Sequence, residues 1–163
     1  MAVIAFFISL LFSFIGETII PNAYIVISFI LLIFFIFLGI IFDIIGVSIT
    51  VADIKTFNSM ASKKVKGASI AVKLIKDANK ASSFFNDVIG DICGVISGST
   101  GITIAIILSE RFNINLLITT LLITSIISTV TIGGKAIGKT IAINRSDKIL
   151  YSFVKVLSIF YKE

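Results

Sequence analysis

The chain has 163 residues, of which 57% are hydrophobic and only 14% are charged. A soluble domain of this size could not bury so much apolar surface, so we predict one all-α integral membrane protein. Because histidine is absent, histidine-based catalysis and ligation of zinc or haem by histidine are excluded, and we expect no enzyme. The net charge of +5 fits the basic cytoplasmic side of a membrane protein better than a nucleic-acid partner.

The first apolar segment is short. Residues 2–15 are apolar, whereas a membrane span usually needs about 17–25 residues. We expect a short or tilted N-terminal helix followed by an outer loop, together covering residues 1–22. A cleaved signal peptide is the alternative, but no basic residues precede the apolar part and no clear small-x-small site follows it.

Three longer apolar runs predict three long transmembrane helices over residues 24–49, 88–108 and 114–132. Asp43 is the one charge in the first run, where it lies either at the membrane interface or toward the helix bundle. The third run is rich in hydroxyl side chains, including Thr124, Ser128 and Thr131 on one face. We expect these hydroxyls to form hydrogen bonds with neighbouring helices.

The segment 53–86 has a different character, because it holds seven lysines among apolar residues at helical spacing. This pattern predicts a basic juxtamembrane helical hairpin on the membrane surface, interrupted near Gly67, with lysines toward anionic lipid headgroups. A solvated basic loop without a special partner is the alternative.

The end of the third span and the C-terminal segment carry further signals. The run from Gly133 to Lys139 contains three glycines and two lysines, which predicts irregular backbone near the inner membrane boundary. In residues 146–161, helical spacing places apolar residues on one face and lysines on the other, which predicts an amphipathic interfacial helix.

The distribution of basic residues predicts the topology. Of the fourteen basic residues, only Arg111 lies outside the segments 53–86 and 135–163, so both segments are expected on the cytoplasmic side. Four crossings of the cell membrane with both termini in the cytoplasm satisfy this distribution. Removal of the first segment would leave three crossings and an outer N-terminus.

The start of the second span combines a glycine stripe with a carboxylate. Gly90, Gly94 and Gly98 lie four residues apart and predict close packing against a neighbouring helix, in the same subunit or across a dimer. Asp91 either faces the bundle and has a partner, or caps the helix start, where the helix dipole favours a negative charge. The single Cys93 excludes an internal disulfide and is expected to be a packed small residue.

The order of these elements resembles the transmembrane domain of the cyclin M/CorC magnesium transporter family over residues 24–160. Three local motifs carry the resemblance. The segment Lys66–Asp77 looks like the hairpin of the family, Val88-Ile-Gly-Asp91 resembles its "IGN" opening of the second span, and Gly134–Ala142 resembles its "GE-I-x-P-K-T-x-A" motif.

The resemblance implies a homodimer that transports a divalent cation, chiefly Mg²⁺, with Na⁺ as a counter-ion. Transferred to this chain, the family's cation site falls at Asp43, Gly46, Ser48 and Thr50, at Asp91 and Val95, and at Lys135. The metal ligands that we predict are Asp43, Ser48, Thr50, Asp91 and Gly134. The regulatory domains of full-length members are expected to be missing, which leaves room for a separate cytoplasmic regulatory chain.

The departures from the family pattern leave the function open. Lys135 stands where the family has an acidic ligand, and an ammonium group cannot ligate Mg²⁺. Asp91 stands where the family has a neutral amide, so we predict an Asp91–Lys135 ion pair that substitutes for the metal. The chain is expected to transport a cation. The alternatives are a non-transporting membrane partner or regulator, and transport of another ion or of protons with Asp91 and Lys135 as a switchable pair.

Overall fold

The computed structural model describes Val3, residues 6–11, Phe14 and residues 25–160. Every regular element in these residues is helical. The α-helices are α1 (Ile25–Val51), α2 (Ile54–Ser62), α3 (Ala68–Lys76), α4 (Ala78–Ser83), α5 (Asp91–Phe112), α6 (Leu116–Asn144) and α7 (Ser146–Phe160), and a π-helix over Phe84–Gly90 joins α4 to α5.

Within these residues, three helical segments are long and apolar enough to cross a membrane. They are Ile25–Val51, Ala78–Phe112 and Leu116–Asn144, with mean hydropathies of 3.3, 1.9 and 2.0 over their most apolar windows. The prediction of an all-helical chain with three helices long and apolar enough to cross a membrane is therefore confirmed. The predicted short N-terminal helix lies partly outside the described residues, although Val3, residues 6–11 and Phe14 are helical.

The helices form two compact units, and the boundary between them falls within α1 and α6. The first unit comprises the described residues of Met1–Ile40 together with Val88–Lys135. Its core joins side chains of α1, α5 and α6, namely Leu32, Ile36, Ile104 and Ile127. Small residues allow close approach here, since a Cβ at Gly39 would lie 3.1 Å from the Cβ of Cys93 and 3.6 Å from the Gly90 carbonyl oxygen.

Among the described residues, the glycine stripe makes a close helix contact only at its first glycine. Gly90 takes part in the contact with Gly39, but a Cβ at Gly94 or Gly98 would have no described atom within 4 Å. Another glycine of α5, Gly101, provides the second close contact, because the side chain of Ile127 occupies the space of its missing Cβ.

The second unit comprises Ile41–Asp87 and the described residues of Ala136–Glu163. Its core brings together the end of α1, the hairpin α2–α3 and the apolar face of α7, with Ile45, Ile49, Ala52, Phe57, Ala71, Leu150 and Val154 buried. The basic segment is thus a helical hairpin, and the alternative of a solvated loop is wrong. Its seven lysines are all exposed.

Two features pin α7 to this hairpin. The backbone N–H of Asp53, which caps α2, donates a hydrogen bond to Asp147 Oδ1 in the first turn of α7, with an N–O distance of 3.0 Å. At the start of α3, Gly67 has a left-handed backbone with φ of 83° and lies against the backbone of Val154 in α7.

Two predictions about the third span are wrong. The segment Gly133–Lys139 is not irregular, because α6 continues without a break from Leu116 to Asn144. The Thr124 hydroxyl does not bond to a neighbouring helix, since it donates to the Thr120 carbonyl oxygen one turn earlier at 2.8 Å. In an apolar surrounding, the carbonyl groups of the same helix are the nearest acceptors. They accept hydrogen bonds from both the backbone N–H groups and the hydroxyl side chains.

We predict that Gly67→Ala lowers the free energy of unfolding by about 1–2 kcal/mol, the cost of a side chain in the left-handed region. A Cβ there would also lie 3.0 Å from the Val154 carbonyl oxygen. Thermal unfolding of the detergent-solubilised protein measures the loss. The matched control is Gly94→Ala, which adds the same methyl group in open space and is expected to be neutral or slightly stabilising. Equal losses in the two variants would contradict the prediction.

Candidate functional site

A buried carboxylate is the most costly polar group in α1. Asp43 is only 5% exposed, and its Oδ2 has no hydrogen-bond partner among the described residues. The surrounding sequence, Ile40-Ile-Phe-Asp-Ile-Ile45, offers no polar side chain. An ionised carboxylate in such a place costs several kcal/mol unless it is paired with a cation.

A second buried oxygen lies one helical turn away. The side-chain amide of Asn86 occupies the space where Gly46 would carry a Cβ, and Gly46 follows Asp43 by three residues on the same helix face. Asn86 Nδ2 donates to the Ser82 hydroxyl at 3.3 Å, whereas Asn86 Oδ1 is buried and has no partner among the described residues. The Asp43 carboxylate and the Asn86 carbonyl thus place two unused oxygens beside one turn of α1.

Local structure explains why Asn86 reaches this position. It lies in the π-helix Phe84–Gly90, and π-turns are frequent at functional sites because they redirect side chains within an otherwise regular helix. The preceding residue fixes the register, since the rings of Phe85 and Phe42 stack with centroids 5.7 Å apart and planes 7° apart. Phe42 and Phe85 directly precede Asp43 and Asn86, so the stacked rings hold the two segments together next to the two polar residues.

The chemistry of this pair suits a hard cation. Carboxylate and amide carbonyl oxygens are the ligands that Mg²⁺ and Ca²⁺ prefer, with water completing the coordination. Among the described residues there is no cluster of three or more histidine, cysteine, aspartate or glutamate side chains. A cation here would therefore be held by one carboxylate, an amide and water, as is usual for Mg²⁺.

The other predicted ligands of the second unit are engaged with their own helix. Ser48 is buried and its hydroxyl donates to the Ile44 carbonyl oxygen at 2.8 Å. Thr50 is exposed and its hydroxyl donates to the Val47 carbonyl oxygen at 2.7 Å. Each oxygen keeps lone pairs, but neither side chain is positioned by a partner outside α1.

The remaining predicted residues belong to the first unit, where Asp91 and Val95 are exposed and Lys135 is half-buried. In the part of the chain that the structure describes, Lys135 and Asp91 do not form an ion pair. Gly134 lies within the unbroken helix α6, where the side chain of Ile40 fills the space of a Cβ.

Sequence reasoning identified Asp43 and Gly46 but missed Asn86. This asparagine was assigned to the end of the basic hairpin, and its amide stands only two residues before the second predicted span. The sequence offers no specific signal for it, since a phenylalanine followed by an asparagine also occurs at Phe57-Asn58 and at Phe112-Asn113.

Comparison of the chain with protein-family models, with curated proteins and with solved structures finds no match.

We predict that Gly46→Ala lowers the free energy of unfolding by about 1–3 kcal/mol, the usual cost of overpacking, because the new methyl group displaces the Asn86 amide. In an Asn86→Ala background, the same substitution should cost much less, since the space is then free. A double-mutant cycle measured by thermal unfolding in detergent gives the coupling.

The control for this cycle is Gly133→Ala, where a Cβ would have no described atom within 4 Å. It should show no coupling to Asn86→Ala. A loss from Gly46→Ala that stays undiminished in the Asn86→Ala background would exclude the contact between Gly46 and Asn86.

Proposed function

We propose that this chain transports a hard cation across the cell membrane, with Mg²⁺ as the substrate, through a site that includes Asp43 and Asn86. The observation that carries the proposal is the buried Asp43 carboxylate, whose Oδ2 has no hydrogen-bond partner among the described residues. Ionisable groups within membrane spans are rare, costly and commonly line ion pathways.

The ligand chemistry supports an alkaline-earth or similar cation over a soft transition metal. Soft metals favour thiolate and imidazole, whereas the unused groups beside Gly46 are a carboxylate and an amide oxygen. The resemblance of residues 24–160 to the cyclin M/CorC transmembrane domain favours Mg²⁺ among the hard cations and a homodimeric arrangement. The resemblance rests on the three sequence motifs. Together with the distribution of basic residues, it also supports cytoplasmic termini.

We assign to Asp43 the role of a ligand that replaces some of the water molecules around the cation. Mg²⁺ loses its waters reluctantly and usually keeps several of them, so one carboxylate and one amide oxygen suffice as protein ligands. An unpaired carboxylate in this apolar surrounding has a high energetic cost, which favours occupation of the site by a cation.

A second candidate function is that of a non-transporting membrane partner. It is favoured by Lys135, a half-buried lysine of α6 at the position where the family pattern has an acidic ligand. A fixed ammonium group there repels a cation and would take the place of the metal.

We expect that Asp43→Asn lowers Mg²⁺ flux at least ten-fold, because the substitution keeps the shape of the side chain and removes its charge. Flux is measured with the purified protein in liposomes that contain a Mg²⁺-sensitive dye. Glu110→Gln is the matched control, since it makes the same change at an exposed carboxylate of α5 and should leave the flux unchanged. Mg²⁺ should also raise the melting temperature of the wild type, by linkage to binding, but not that of Asp43→Asn.

Absence of flux from the wild type under gradients of Mg²⁺, Na⁺ and protons would exclude transport and leave the non-transporting candidate. Flux of protons alone would exclude Mg²⁺ as the substrate, and its loss in Asp43→Asn would distinguish Asp43 from the alternative pair Asp91 and Lys135.

Lys135→Met separates the two candidates further. If the chain transports a cation, removal of the ammonium group should leave Mg²⁺ flux equal to that of the wild type or raise it several-fold, because the family resemblance places Lys135 at the cation site and a positive charge there raises the barrier for a cation. Abolished flux in a variant that retains the wild-type melting temperature would show that Lys135 itself is needed for transport. Lys139→Met, an exposed lysine one turn later on α6, is the control for general charge effects.

A further inference from the structure

The second unit contains a cleft of about 540 Å³ that no part of the proposed cation site occupies. Isoleucines of α1 and α6, among them Ile44 and Ile141, form its walls with Phe153 of α7. Arg145, Lys148 and Ser152 line the same cleft. It therefore combines a hydrocarbon surface with two cationic groups and a hydroxyl.

The two cations are free to bind an anion. Arg145 and Lys148 are exposed, and among the described residues neither side chain forms an ion pair or a hydrogen bond. The nearest carboxylate in sequence, Asp147, accepts the hydrogen bond from Asp53 N–H at the start of α2. An incoming anion would not have to displace an existing partner.

The position of the cleft matches the level of lipid headgroups. Arg145 follows directly after Asn144, the last residue of the long apolar helix α6, and α7 begins at Ser146. The end of a membrane-crossing helix lies near the boundary between hydrocarbon and headgroups. The segment 135–163 is one of the two basic segments of the chain, which predicts that the cleft lies in the cytoplasmic leaflet. Anionic lipids are enriched in this leaflet.

We propose that this cleft binds an anionic phospholipid, with the phosphate between Arg145 and Lys148 and an acyl chain along the isoleucines and Phe153. An amphiphile is favoured over a free phosphate because a phosphate ion would use the cationic groups and leave the apolar walls without a ligand. Basic pockets beside membrane helices on the cytoplasmic side are known to take such headgroups. The site differs from the exposed lysines of the hairpin, which offer charge without an apolar cleft.

The test compares two variants with the same loss of charge. The purified protein in detergent is titrated with phosphatidylglycerol, phosphatidylcholine or inorganic phosphate, and the melting temperature is recorded. Phosphatidylglycerol should stabilise the wild type more than phosphatidylcholine does, and inorganic phosphate should have little effect. The double variant Arg145→Gln/Lys148→Gln should need at least ten-fold more phosphatidylglycerol for the same shift, whereas Lys73→Gln/Lys76→Gln on the hairpin should respond as the wild type does.

Three outcomes would overturn the proposal. Equal weakening in both double variants would assign the effect to diffuse surface charge. Equal stabilisation by inorganic phosphate would identify an anion site without a lipid. Equal stabilisation by the two lipids would remove the requirement for an anionic headgroup.

Hydrogen–deuterium exchange on the wild type keeps the proposal testable if a variant does not fold. In nanodiscs with phosphatidylglycerol, residues 141–153 should exchange more slowly than in nanodiscs with phosphatidylcholine alone, while the hairpin residues 66–76 should change little. Slower exchange confined to the hairpin would contradict the assignment of the lipid to the cleft.

Discussion

An apolar surrounding offers no hydrogen-bond partners to the backbone. This constraint accounts for the unbroken course of the long helices and for the partners of their hydroxyl side chains. Helix α6 runs through Gly133, Gly134 and Gly138 without a break, because a helix satisfies every backbone group internally where water is absent. The hydroxyls follow the same rule. Ser97 and Thr100 are buried and donate to carbonyl oxygens one turn earlier in their own helix.

The buried polar atoms that do not follow this rule are the candidates for binding a ligand. Four buried side-chain oxygens have no partner among the described residues, on Ser28, Asp43, Asn86 and Thr131. An unsatisfied neutral group costs about 1–3 kcal/mol, whereas an unpaired buried carboxylate costs more because it carries a full charge. Asp43 therefore dominates this set, and Asn86, beside the next turn of the same helix face, is the neutral oxygen best placed to share a ligand with it.

The sequence was sufficient for the architecture because hydrophobicity and charge act over long segments. The three spans, the basic hairpin and the amphipathic helix α7 all follow from apolar runs and helical periodicity. The predictions that were wrong concern local structure. Three glycines in seven residues predicted irregular backbone at Gly133–Lys139, but glycine only permits such backbone, and the apolar surrounding favours the helix.

The candidate site was predictable only in part for a similar reason. Asp43 stands out because a charge in an apolar run is visible from composition alone. Asn86 does not, because its role depends on a π-helix and on the missing side chain of Gly46, which are properties of packing between two segments. The family resemblance points to Asp91 and Lys135 instead, yet Asp91 is exposed. It does not cap a helix start either, because the helical segment runs from Ala78 through the π-helix to Phe112.

The two proposed sites of the second unit share a packed aromatic wall. Phe85 stacks on Phe42, and its ring also meets Phe153 edge to face, with centroids 5.3 Å apart and planes 89° apart. Phe153 lines the cleft, while Phe42 and Phe85 directly precede Asp43 and Asn86. Because protein interiors are close-packed, a shift of Phe153 caused by an acyl chain requires Phe85 to repack. Any effect of lipid on cation affinity would then be matched by an equal effect of the cation on lipid affinity, since coupling between two binding sites is reciprocal.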